Sequence, residues 1–196
     1  IVAQELGPAT NLSTSVNVTV YLNDVNDNPP TFLEESYEVE LAENATAGTR
    51  VVQVKAEDVD TGIFGKVQYT AILGYLNTSL HMDPRTGIIT VATNNHGFDR
   101  EAMPDVKFLI EARDNDGIGN RATVPLTIKL LDVNDETPEF ERPIYEFILA
   151  ANLKNFTSPA IIKAVDKDAE PPNNIVRYEL DIGNYENKFV LNEITG

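Results

Sequence analysis

The sequence predicts an all-β chain of antiparallel two-sheet sandwiches set in tandem. Three observations carry this expectation. Apolar and polar residues alternate along short segments bounded by Pro, Gly and Asn; helical periodicity is nowhere sustained; and the chain matches itself at a fixed spacing, Asp24 with Asp132 and so on for much of its length.

The elements follow in chain order. Val16, Val18, Val20 and Leu22 alternate with polar neighbours, the period of a half-buried strand with Asn17 on the outward face. The acidic stretch DVNDNPPTF, Asp24 to Phe32, ends that segment. Strands are then expected at Tyr37 to Leu41, Arg50 to Ala56, Val67 to Leu73, Ile88 to Ala92, Val106 to Arg113 and Thr123 to Leu131. After the last of these comes DVNDETPEF, Asp132 to Phe140, a near copy of the first acidic stretch. The flanks share its register. Val16, Val18, Val20 and Leu22 fall on Val124, Leu126, Ile128 and Leu130; YEVELAEN from Tyr37 meets YEFILAAN from Tyr145; AEDVD from Ala56 meets AVDKD from Ala164. One residue then slips in, and VQY from Val67 meets VRY from Val176.

This spacing divides the chain into the C-terminal part of one repeat with its linker (1–28), a complete repeat with its linker (29–136) and the N-terminal part of a third (137–196). Prolines in both linkers remove backbone donors and stiffen the joint. An immunoglobulin sandwich is disfavoured, because the chain has no Cys and no Trp for that fold's core.

The chain carries 31 acidic against 15 basic residues and a formal net charge of -16. Phosphate-mediated nucleic-acid binding is therefore excluded as a reading, and a multivalent cation is the natural counter-charge. Without cysteine there are no disulfides, thiolate metal sites or thiol catalysis. Sequons at Asn11, Asn17, Asn44, Asn77 and Asn155 point to an extracytoplasmic route. No apolar run approaches the ~20 residues of a membrane span and no signal peptide opens the chain, so an internal piece of a longer protein, anchored in a membrane elsewhere, is expected.

The acids cluster at strand ends: Asp58 and Asp60, Asp99 with Glu101, Asp114, and both Asp-Val-Asn-Asp runs. Carboxylates converging within ~4 Å repel by roughly 4 kcal/mol per pair at an effective dielectric near 20, so convergence calls for a cation. Hard oxygen ligands without His or Cys select calcium. An EF-hand loop does not fit. Asp24, Asn26, Asn28 and Glu35 take its positions one, three, five and twelve, but Pro29 occupies the sixth, where a positive φ is needed, and the flanks are strands. No pair of acids stands out as a catalytic couple, and His81 and His96 stand alone, so no enzyme is expected.

In order, Leu41-Ala42-Glu43-Asn44, Asp58-x-Asp60, Phe98-Asp99-Arg100-Glu101, Ala112-Arg113-Asp114 and Asp132-x-Asn134-Asp135 resemble the extracellular repeats of the cadherin family, and the resemblance covers the whole chain. It implies cadherin-type seven-strand Greek-key β-sandwiches joined by calcium-binding linkers, with up to three Ca2+ between successive repeats. One implied junction gathers Glu43, Asp99 and Glu101, then Asp132, Asn134 and Asp135 with the carbonyls of Val133 and Glu136, then Asp166 and Asp168. The other takes Asp24, Asn26 and Asp27 with the carbonyls of Val25 and Asn28, then Asp58, Asp60 and Asp114. A further carbonyl ligand is implied near Phe64 and near Asn173.

Three positions depart from the family pattern: Glu136 stands for the usual Asn, Glu5 for an Asp, and Ala151 holds the place of Glu43 in the third unit. The implied role is calcium-dependent adhesion or tethering at the outer face of the plasma membrane, with other cadherin ectodomains as partners, homophilic or heterophilic. The alternatives are a heterophilic ligand-binding receptor segment and a calcium-stabilised accessory domain of an extracellular enzyme.

Overall fold

The structure, a computed structural model, describes residues 1–5, 12–93 and 97–196; the sequon at Asn11 and His96 lie outside them. The strands are β1 (Val2–Gln4), β2 (Ser13–Ser15), β3 (Thr31–Phe32), β4 (Tyr37–Ala42), β5 (Arg50–Gln53), β6 (Ala56–Glu57), β7 (Gln68–Leu73), β8 (Leu80–Met82), β9 (Ile88–Val91), β10 (Asp105–Arg113), β11 (Arg121–Leu131), β12 (Glu139–Phe140) and β13 (Ala164–Val165).

Strands β3 to β11 form the complete sandwich. One sheet runs β4-β11-β10-β7 and the other β5-β9-β8, with β3 and β6 paired beside them. Strand β11 is parallel to β4 and antiparallel to β10. Two chain passes are interrupted, β3 with β4 and β5 with β6, so the sandwich has seven passes in all. The stretch expected as a single strand from Arg50 to Ala56 thus serves two pairings, breaking between Gln53 and Ala56.

Alternation builds the core. Along β10 every second residue, Val106, Phe108, Ile110 and Ala112, is buried, and along β11 the same holds for Val124, Leu126, Ile128 and Leu130. They face Val54, Leu80, Ile89 and Val91 from the opposing sheet in one continuous cluster. Each fully buried Ile, Leu or Val contributes about 1.5–3 kcal/mol relative to exposure. The turn from β8 to β9 is fixed by Asp83, whose Oδ1 accepts the N–H groups of Arg85 and Thr86 at 2.9 and 2.8 Å. It closes on Gly87 at φ +66°, where a Cβ would stand 2.3 Å from the Val54 carbonyl oxygen.

The expected strand at Val16 to Leu22 is a correction. Val16, Val18, Val20 and Leu22 are 60, 58, 75 and 92 % exposed; Val16 exchanges backbone hydrogen bonds with Ile1, and among the described residues no ladder continues beyond it. The β1–β2 ladder runs out at Ile1, whose ammonium group donates to the Val16 carbonyl at 2.9 Å. Alternation made the segment fit a strand, and pairing was still required. In the last part of the chain, β12 pairs with β13 in the register of β3 with β6. Tyr145, Phe147, Phe156 and Phe189 pack as a row with ring centroids 5.8–6.3 Å apart.

Candidate metal centres

The ends of the sandwich set the sites. Paired strands β4 and β11 finish together at Ala42 and Leu131, which places Glu43 beside Asp132. At the other end β10 finishes at Arg113, and Asp114, the next residue, comes near Asp58 and Asp60 just after β6. Ligand oxygens of Glu43, Glu101 and Asp132 lie within 4.8 Å of one another, and so do those of Asp58, Asp60 and Asp114.

Around the first linker, Asp114 is wholly buried and its Oδ1 accepts from Asn26 Nδ2 at 2.9 Å. Asp60 accepts from the backbone N–H of Asn28 at 3.2 Å and from Asn28 Nδ2 at 2.6 Å, and donates its own N–H to Asp58 Oδ1 at 2.8 Å. Asn28 Nδ2 also reaches Asp27 Oδ1 at 2.8 Å. The N–H and hydroxyl of Thr61 donate to Asp24 Oδ2 at 2.6 and 2.8 Å and hold that carboxyl below the usual carboxylate range. Val25 turns its side chain to solvent while its carbonyl accepts the Asp27 N–H at 3.0 Å. The Phe64 carbonyl accepts from Asn115 at 3.1 Å.

Around the second linker, Glu43 is 5 % exposed and stitches two segments together. Its Oε2 accepts the Arg100 N–H at 2.7 Å and its Oε1 the Val133 N–H at 2.8 Å. Asp132 accepts from the N–H groups of Ala169 and Glu170 and from Asn173 Nδ2, at 3.0, 3.2 and 3.0 Å, and the Ala169 N–H does most to keep its carboxyl low. Asp168 is 3 % exposed; it accepts the Glu136 N–H at 3.2 Å and donates to Asp166 Oδ1 at 2.9 Å. Asp99 Oδ1 caps the Ala102 N–H at 2.7 Å.

Two acids here resist ionisation. Burial first, then the charges of Glu43 and Asp132 and a hydrogen bond with Asp132, push the Glu101 carboxyl up to about 7. Burial also raises Asp135, helped by the charges of Glu43, Asp168 and Asp99.

Three hydrogen bonds recur at the two linkers in the repeat register. Thr61 to Asp24 matches Ala169 to Asp132, Asp60 to Asp58 matches Asp168 to Asp166, and Asn28 to Asp60 matches Glu136 to Asp168. The Glu136 departure keeps the backbone bond, while its Oε2 turns to within 4.0 Å of Lys167 Nζ in place of the amide contact that Asn28 makes. Asn134 is exposed and joins none of these contacts.

Sequence reasoning missed several polar partners: Thr61, Asn120, the side chain of Asn173, and the Arg100–Glu170 ion pair at 3.2 Å. None lies in an acidic motif. The repeat comparison held one clue, since Thr61 falls on Ala169 and the lost hydroxyl donor is replaced by Asn173.

The donor sets fit a hard cation. Among the described residues four buried side-chain oxygens lack a hydrogen-bond partner: Asp58 Oδ2, Asp114 Oδ2, Glu101 Oε1 and Asp168 Oδ2. All four belong to the clusters read from the sequence. An unpaired buried carboxylate oxygen is costly, and calcium, which takes six to eight oxygen ligands, is the partner this chemistry suits.

The family profile described as Cadherin domain matches residues 37–131. Cadherin-86C of Drosophila melanogaster is 66 % identical over 196 residues, which is all of this chain and 10 % of that protein. Among solved structures, the mouse cadherin-23 EC22-24 crystal structure superposes with a TM-score of 0.78 at 27 % identity, covering 100 % of this chain and 60 % of that one. The protocadherin gammaB7 EC3-6 cis-dimer structure gives 0.71 at 27 % identity, covering 100 % and 48 %. The chain thus spans a tenth of the fly relative's length and about half of each solved chain. Motif order, sandwich topology and identity along the full chain agree: the chain belongs to the cadherin family.

Proposed function

We propose that this chain is a segment of an extracellular adhesion or tethering ectodomain whose joints are stiffened by calcium. The repeats divide at 1–28, 29–136 and 137–196. The single observation that carries the reading is the set of four partnerless buried carboxylate oxygens, two at each end of the complete sandwich.

Glu43, Asp99 and Glu101 from the sandwich, Asp132, Asn134, Asp135 and the Val133 and Glu136 carbonyls from the linker, and Asp166 with Asp168 from the next repeat would hold the ions at the second junction. Asp24, Asn26, Asp27, the Val25 and Asn28 carbonyls, Asp58, Asp60 and Asp114 would do so at the first. Bound calcium supplies the positive charge that offsets this convergence.

The chain's own residues do the rest. Glu43 ties the linker to the 99–101 turn, and Asp132 and Asp168 tie it to the following repeat, so three separate segments meet at one place. A cation that binds the assembled arrangement more tightly than the splayed one shifts the joint toward the assembled state. The partner is another cadherin ectodomain, as in the protocadherin cis-dimer, and no step of this role is chemical catalysis. No helix among the described residues is long and apolar enough to cross a membrane.

Small-angle scattering in calcium and then in chelator tests the reading. The radius of gyration is expected to change and protease cleavage within Asp24–Asn28 and Asp132–Glu136 to accelerate on chelation. Identical scattering and cleavage in both conditions would refute it.

A further inference from the structure

We infer that Asn120 is a positioning residue of the Asp24–Asn28 junction, holding the Asn26 side chain and the Asn28 carbonyl in place before any ion arrives. The inference rests on the calcium reading above. Asn120 lies outside every acidic motif, on the turn from β10 to β11, and is exposed. Its Nδ2 donates to Asn26 Oδ1 at 2.5 Å and to the Asn28 carbonyl oxygen at 3.3 Å. Both acceptors are atoms proposed above to face calcium.

The turn is shaped to deliver this amide. The Asp114 N–H donates to the Asn120 carbonyl at 3.2 Å, and the Asp114 carbonyl accepts from Gly117 and Gly119 at 2.9 and 3.2 Å. Gly119 lets the linker come close, since a Cβ there would lie 1.8 Å from Asp114 Oδ1 and 2.7 Å from Asn26 Nδ2. Asn26 is therefore gripped at both ends of its amide, its oxygen by Asn120 and its nitrogen by Asp114.

The second linker provides the internal comparison. Asn134 matches Asn26 in register, yet it is exposed and makes no side-chain hydrogen bond among the described residues. The positions matching Asp114 and Asn120 would fall past Gly196. The Asp-Val-Asn-Asp run is the same in both, and among the described residues no side chain holds Asn134 as this turn holds Asn26. A ligand already oriented by an outer hydrogen bond loses less freedom on binding, and removing such a partner from a metal site typically weakens affinity 10- to 100-fold.

The test is a site-resolved calcium titration of the whole 15N-labelled chain, parent against Asn120→Ala. Amide signals of Asn26 and Asn28 report one junction, and those of Val133 and Glu136 the other. The substitution is expected to move the Asn26 and Asn28 midpoint to at least about tenfold higher calcium and to leave Val133 and Glu136 unchanged. In chelator, the Asn28 amide, which donates to Asp60, is expected to exchange its proton about tenfold faster than in the parent.

Unchanged midpoint and unchanged exchange overturn the inference, as does an equal shift at both junctions, which marks a general loss of structure. If the parent responds to calcium only at Val133 and Glu136, the exchange measurement decides alone. If the parent responds nowhere, the calcium reading falls and this inference with it; if it responds at both junctions and the substitution changes neither readout, only this inference falls.

Discussion

Raising the pH from 6 to 8 is expected to tighten calcium at the Asp132–Glu136 junction about tenfold, through a proton on Glu101. The oxygens of Glu43, Glu101 and Asp132 lie within 4.8 Å of one another, and two full charges at that distance repel by about 3.5 kcal/mol at an effective dielectric near 20. Keeping one of the three neutral relieves two such pairs. Glu101 is that group, with its carboxyl pushed up to about 7 by burial and by Glu43 and Asp132. In the splayed chain the ordinary carboxylate value returns. The proton therefore stabilises the assembled, metal-free junction at low pH, and this contribution fades as pH rises through about 7. An entering cation has to displace the proton. With a value of about 7, Glu101 holds about nine-tenths of a proton at pH 6 and about one-tenth at pH 8, which makes calcium about tenfold tighter at pH 8, or about 1.4 kcal/mol. Calorimetric titration at each pH, in two buffers of different ionisation enthalpy, gives the number of protons released. No release at pH 6, or the same release after Glu101→Gln, would refute the reasoning.

Two further outcomes are expected. Asp135→Ala should weaken calcium binding at the second junction clearly, whereas Asp105→Ala, at the exposed start of β10, should change stability by no more than ~0.5 kcal/mol and leave calcium binding alone; paired calorimetric titrations check both. Leu126→Ala, at a position with no exposed surface in the middle of β11, should cost about 2–5 kcal/mol in a thermal or denaturant melt performed in chelator, where the ions add nothing.

Much of the sandwich was legible because its long strands, β10 and β11, carry four inward residues each at strict alternation. Strand β8 was not. Leu80, His81 and Met82 make only three residues, too few for a period to register, and the Asp83 turn that pairs them with β9 depends on folded geometry. Val16 to Leu22 shows the opposite case, an alternating pattern that pairs, among the described residues, only at Val16 with Ile1. At the junctions, the acids could be read because carboxylates bunch at strand ends for few other reasons. Their hydrogen-bond donors could not: Thr61, Asn120 and Asn173 are ordinary loop residues until the fold lays the linker across them.

The parallel pairing of β4 with β11 has a mechanical consequence. The chain enters the sandwich through the first linker, the short β3 and then β4, and leaves through the C-terminal end of β11 directly into Asp132. Tension along the molecule pulls the start of one strand away from the end of its parallel neighbour. The six residue pairs from Leu126 with Tyr37 to Leu131 with Ala42 are then loaded together in shear, whereas a hairpin pulled from its open end unzips one pair at a time. Glu43 continues that load path past the last rung, its two backbone hydrogen bonds fastening the exit of β11 to the turn at Arg100. A rod made of such units resists stretching at the sandwich as well as at the joint, and force reaches the core only after a whole ladder has given way at once.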